Sequence, residues 1–236
     1  MADGDFDVVA RFASVLASLN SVGSVTHRFC EAGQLLLDAD GAAITLSYDQ
    51  LDRHIWTATN ELATLIEDAQ EVAGEGPGFE AQRSGAIVSG RFGLTVATPW
   101  PLLEDRIAST GFIGTILAVP LLVDRTQLGV LVAHRWATAL SFDQAVATFL
   151  SRTIGIAILD ELSPKGVEDE LTHDWTTRAL VHQATGMVIA QLGIQPGDAL
   201  SLLRGHAYAH GLMLTTVAAD VLARRTRFDN TTIEGD

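Results

Sequence analysis

Residues 171–228 read LTHDWTTRALVHQATGMVIAQLGIQPGDALSLLRGHAYAHGLMLTTVAADVLARRTRF, and the rest of the chain is best read outward from them. Leu171, Trp175, Ala179, Val181, Ala184, Met187 or Val188, and Leu192 recur at steps of three and four, which lays an apolar stripe along one helix. Gly193 stops it. Pro196 then suits a first helical position, where its missing N–H costs nothing, and Asp198 adds a negative charge to the positive first turn. Ala199, Leu202, Leu203 and Ala207 are the expected inner face of this second helix, with Gly211 as its stop. A third helix is expected to begin at Thr215 or Thr216 as cap, to bury Val217, Ala218, Val221 and Leu222, and to end in Arg224, Arg225 and Arg227.

Gln183, Ala184, Thr185 and Gly186 in the first helix, Ala199 through Arg204 in the second, and Leu214 through Ala218 in the third resemble an ANTAR domain. The resemblance implies a three-helix unit over residues 171–228 that binds RNA stem-loops in leader transcripts and acts in transcription antitermination. Carried over position by position, it names Arg178, Gln183, Thr185, Gly186 and Arg204 as RNA-binding candidates. His206 and Tyr208 join them because their rings can stack on unpaired bases. Thr185 stands where the family commonly has lysine, and Leu212 and Met213 where it often has a basic residue; both departures remove positive charge from the expected face.

Charge distribution is uneven. The chain of 236 residues carries a net charge of −14, yet residues 171–228 hold five arginines against three aspartates, a balance of +2 that leaves −16 on the remainder. Nucleic acid is therefore expected to meet the C-terminal stretch and to be repelled elsewhere. With 47% hydrophobic and 19% charged residues the chain can bury a core of ordinary size. A single cysteine, Cys30, excludes an internal disulfide and is read as a buried packing residue on a helix. The acidic start MADGDF lacks the apolar segment of an export signal, and the most apolar run, Phe112 to Val123, is too short to span a bilayer as a helix. A soluble cytoplasmic protein with no membrane contact is the expectation.

Upstream, helical spacing runs from Phe6 to Leu19 and from about Ser24 to Leu37. Alternation at Ile44, Leu46 and Tyr48, a turn at Asp49 to Arg53, and then His54 to Thr57 predict a β-hairpin. Asn60 is a helix cap. Gly74-Glu75-Gly76-Pro77-Gly78 lacks the Lys-Ser/Thr pair of a phosphate loop and is read as a tight turn before a short helix, Phe79 to Arg83. Ile87 and Val88 make a short strand, and Trp100 to Ala108 a helix or lid. Phe112 to Val123 and Gln127 to His134 are near-continuous apolar strands, hence central strands covered on both faces. A helix from Ser141, as its cap, to Leu162 closes the domain with an apolar side fit for the sheet or for a second copy of itself.

This order of elements, with GEGPG and AVPLLVDRTQLGVLV, is similar to a GAF domain over residues 5–162. The fold class expected is α+β: a GAF-like antiparallel sheet flanked by helices, then the three-helix unit. The resemblance implies a sensor of an unknown small-molecule ligand. Ser163 to Val167 interrupts helix propagation at Pro164, so residues 163–170 are a linker, and residues 229–236 a disordered tail. The thin output unit and the apolar closing helix predict a homodimer. No catalytic or metal motif is present, so neither an enzyme nor a cofactor is expected. Two functions remain open: an RNA-binding antiterminator, or a small-molecule sensor or scaffold that acts through protein partners with RNA binding lost.

Overall fold

The computed structural model describes residues 3–19, 24–49, 52–93, 98–124, 126–137, 142–162 and 174–228, the side chains of 3–6, 48, 49, 52 and 174–179 excepted. The linker and tail expected at 163–170 and 229–236 lie outside these residues. Two compact units are present, with the main division between Asp169 and Glu170.

The first unit opens with α1 (Asp3–Ser18) and α2 (Val25–Leu36), whose first turn is capped by Ser24 accepting the His27 N–H at 3.1 Å. The hairpin β1 (Gly41–Asp49) and β2 (Asp52–Ala58) follows. Asn60 caps α3 (Glu61–Ala73) by accepting the Ala63 N–H at 2.8 Å. Then come α4 (Pro77–Ser84), β3 (Val88–Phe92), α5 (Pro101–Ala108), β4 (Gly114–Val123), β5 (Thr126–Trp136) and α6 (Gln144–Glu161). The five strands form one sheet in the order β2-β1-β5-β4-β3, every neighbouring pair antiparallel.

Side-chain alternation divides the sheet between two layers of helix. Ile44, Leu46, Leu117, Val119, Leu131 and Ala133 pack with Phe12, Cys30, Leu36, Leu150 and Ile154, so α1, α2 and α6 cover one face. Each such leucine or isoleucine contributes about 2 kcal/mol by leaving water. Thr45, Ile116, Ala118, Val130 and Val132 are buried on the opposite face, where α3 and α4 lie. Cys30 is fully buried, and burial, helped by the charge of Glu31, pushes its thiol far above the usual range. It is a packing residue. Helix α6 starts later than expected: Ser141 is outside the described residues, and Asp143 provides the cap by accepting the Ala145 N–H at 2.8 Å.

The second unit consists of α7 (Asp174–Leu192), α8 (Pro196–His210) and α9 (Leu214–Leu222). Gly211 takes the left-handed conformation at φ 65°, and the Leu212 N–H reaches back to the Ala207 carbonyl at 2.9 Å, closing α8. Ala184 and Val188 of α7 meet Ala199, Leu200, Leu203 and Ala207 of α8, and Leu214, Val217, Ala218 and Val221 of α9. Two details differ from the sequence expectation. Leu200 is buried and Leu202 only half-buried, so the inner face of α8 is turned by most of one residue step. Helix α9 begins at Leu214, behind Met213, and neither Thr215 nor Thr216 caps it. Burial of Leu214 draws the first turn inward, and the Met213 carbonyl takes the N–H groups of Thr216 and Val217 at 3.1 and 3.2 Å.

Candidate nucleic-acid interface

The inward residues of α7 decide which residues face out. With Ala184 and Val188 fully buried one turn apart, His182, Gln183, Gly186 and Ala190 form an exposed strip. Gln183 is accordingly available to solvent. A Cβ built on Gly186 would meet nothing within 4 Å, so this glycine is not serving a close helix approach within the protein. Its bareness leaves the α7 backbone open to a ligand.

Thr185 is half-buried, and its hydroxyl donates back to the Val181 carbonyl at 2.8 Å. In this arrangement the hydroxyl is spent on the backbone of its own helix rather than presented outward as a donor. Arg178 lies on α7, and its side chain is outside the described residues.

On α8, burial of Leu200, Leu203 and Ala207 turns Ser201, Gly205 and Ala209 to solvent. Arg204 and Tyr208, four residues apart, stand half-buried at the flank of that strip. The Arg204 guanidinium is ion-paired to a carboxylate at 2.6 Å, so a phosphate would have to compete for it. Tyr208 packs against the helical core as well as reaching the surface.

His206 is engaged on two sides. Its ring stacks on His210 with centroids 4.1 Å apart, and it meets the edge of Phe228 at 5.6 Å. Burial, and then the neighbouring His210, lower its pKa, against an opposing pull from Asp220. The ring is a packing group here, with one face already covered.

The structure therefore gathers the expected residues into two strips on two helices, Gln183 with Gly186 on α7 and Arg204 with Tyr208 on α8. It adds three cations that sequence reading counted in the charge balance but did not single out as contacts. Arg224, at φ 60°, breaks the helix, and Arg224, Arg225 and Arg227 are all exposed after α9. Arg225 holds Asp220 through Nε and Nη2 at 2.8 and 2.6 Å. The signal for this cluster was the Arg-Arg-Thr-Arg run itself. Among the described residues no group of three or more His, Cys, Asp or Glu side chains is placed to hold a metal ion, and no helix is long and apolar enough to cross a membrane.

No curated protein matches the chain. Among solved structures it is similar to the GAF domain from Acinetobacter phosphoenolpyruvate-protein phosphotransferase, at 16% identity over 71% of this chain and 100% of that one, with a TM-score of 0.45. It is also similar to a GAF domain/HD domain protein from Geobacter sulfurreducens, at 14% identity over 64% of this chain and 100% of that one, with a TM-score of 0.43. Residues 169–222 match the family model of the ANTAR domain, and the helical unit that follows the five-stranded α+β unit thus carries an ANTAR domain.

Proposed function

We propose that this protein is a transcription antitermination regulator. Residues 171–228 bind stem-loops of nascent leader RNA in the cytoplasm and so keep a terminator from forming. Residues 5–162 are a GAF-type sensor, joined through residues 163–170, and the working form is a homodimer. The observation that carries the reading is the ANTAR match over residues 169–222. The exposed strip at Gln183 and Gly186 and the cations at 224, 225 and 227 supply the donors and charge that a folded transcript requires. The sensor assignment is supported by the order of elements, two helices, a hairpin, a helical excursion, two long strands and a closing helix. The dimer is supported by α6, on which Ile156 is 60% and Leu159 44% exposed.

A filter-binding titration of the full chain against hairpin RNA over a salt series tests this. Affinity should fall as salt rises, and Gln183→Ala and Arg204→Ala should each weaken it. The pair Arg224→Ala with Arg227→Ala should reduce the log–log salt slope by roughly 1.5 if both meet phosphates. Absence of binding at low salt would leave the second reading, a sensor or scaffold working through protein partners. That alternative is favoured by one local arrangement: the position of the family's lysine is Thr185, and its hydroxyl is turned back onto the helix.

A further inference from the structure

Between α3, α4 and the hairpin, the first unit buries a polar layer whose hydrogen-bonding capacity exceeds what its own packing uses. Arg53 on β2 stands opposite Ser47 on β1, with its side chain 1% exposed. Its Nη2 lies 3.2 Å from Glu67 Oε2, and the guanidinium sits over the Phe79 ring, 4.2 Å from the centroid. Glu67 also accepts from the Thr45 hydroxyl and the Gln70 amide, and Gln70 Oε1 accepts the Gly78 N–H at 2.7 Å. The Gln82 amide donates to the Ser47 hydroxyl. Three buried atoms are left over: Nε and Nη1 of Arg53, and Oε1 of Gln82. They belong to one place, because Gln82 is bonded to Ser47 and Ser47 is the cross-strand partner of Arg53. Buried donors and acceptors without partners are costly, and such groups persist where a ligand completes them.

The cover over this layer is α4, and glycines flank it. Gly76, at φ 138°, precedes it, and Gly85, at φ 67°, follows it. A Cβ on Gly76 would strike the Gln70 amide, so the start of the helix is pressed against the layer.

Electrostatics select the ligand class. Glu67 already neutralises Arg53, so a further anion would add an uncompensated buried charge beside a carboxylate. An uncharged molecule avoids that. Two donors and one acceptor call for carbonyl oxygens alongside an N–H, the edge pattern of a planar amide. We propose that α4 covers a binding site for a small, uncharged, planar amide or lactam, whose carbonyl oxygens accept from Arg53 and whose N–H donates to Gln82 Oε1. The proposal rests on the sensor reading of this unit and gives that sensor its ligand chemistry.

The full chain, labelled with 15N-arginine, is titrated with uracil, with nicotinamide and with inorganic phosphate. Arginine Nε–H spectra and thermal unfolding are recorded together. One of the two neutral probes should shift a slowly exchanging Nε–H signal that is missing in Arg53→Lys, and should raise Tm saturably. Gln82→Leu, which leaves Arg53 and Glu67 in place, should weaken that binding about tenfold, and Arg83→Ala on the outer side of α4 should not. A response to phosphate alone overturns the uncharged class. No response to either neutral probe, with the Nε–H signal still protected, means that enclosed water satisfies these atoms, and the site is refuted. RNA binding is measured separately, so loss of the antitermination reading and loss of this site are distinguishable.

Discussion

His134 lies near the C-terminal end of β5, fully enclosed, with the edge of Phe112 at 5.9 Å. Burial lowers its pKa from 6.5 to about 4, only partly opposed by the charge of Asp40. The unfolded chain therefore takes up a proton here before the native protein does. Stability is complete above about pH 6.5 and declines as the pH falls toward 4, by roughly 3 kcal/mol from this group. Thermal unfolding between pH 7 and 4 checks this: Tm should drop on acidification, and less so in His134→Gln. Equal slopes in the two proteins would assign the loss to another residue. Single residues were unevenly legible in the sequence. Cys30 was readable as a core residue because free cysteines are so often buried and this one falls on a packing helix. Arg53 was not, because an arginine at a hairpin turn reads as solvated, and its burial depends on Glu67 arriving from a later helix. The contact of His206 with Phe228 was not legible either, since Phe228 reaches it from well beyond its own helix.

Elements were most legible where a local signal set their ends. Ser24, Asn60 and Pro196 each start a helix where the chain chemistry places it. Gly211 ends α8 in a conformation that a side chain disfavours, and Gly211→Ala should cost about 1 kcal/mol, read as a lower urea midpoint with unchanged slope. A change in slope would instead mean that the unit has become looser. The starts of α6 and α9 were not legible. In α9 the packing of Leu214 outweighs the capping preference of the threonines behind it, a tertiary effect with no local mark. The short helix after Gly74 was foreseen as a tight-turn product, yet its polar underside was hidden until Ser47, Gln70 and Gln82 met.

At the scale of the whole molecule, the two long apolar strands announced a sheet covered on both faces, and β4 and β5 are buried accordingly. The strand order was beyond reach, because antiparallel pairs of β1 with β5 and of β3 with β4 join segments far apart in the chain. The proposed self-association belongs to this scale. Ile156→Glu on α6 places a charge on an exposed apolar position and should shift the proposed homodimer to monomer in sedimentation velocity, with Tm no longer rising with protein concentration. An unchanged sedimentation coefficient would move the contact elsewhere.

Phe228 turns back after α9 to lie in the helical core, and its backbone N–H is fixed by Gln191 Oε1 at 3.0 Å. The ANTAR match stops at residue 222, so the homology-defined boundary and the physical boundary of this unit are not the same. Anyone excising the helical unit at 222 would discard its final wedge, and Phe228→Ala in the intact chain should already forfeit about 3 kcal/mol, visible in calorimetry as a lower transition temperature of this unit. A silent RNA assay on so short a fragment would report a truncation artefact.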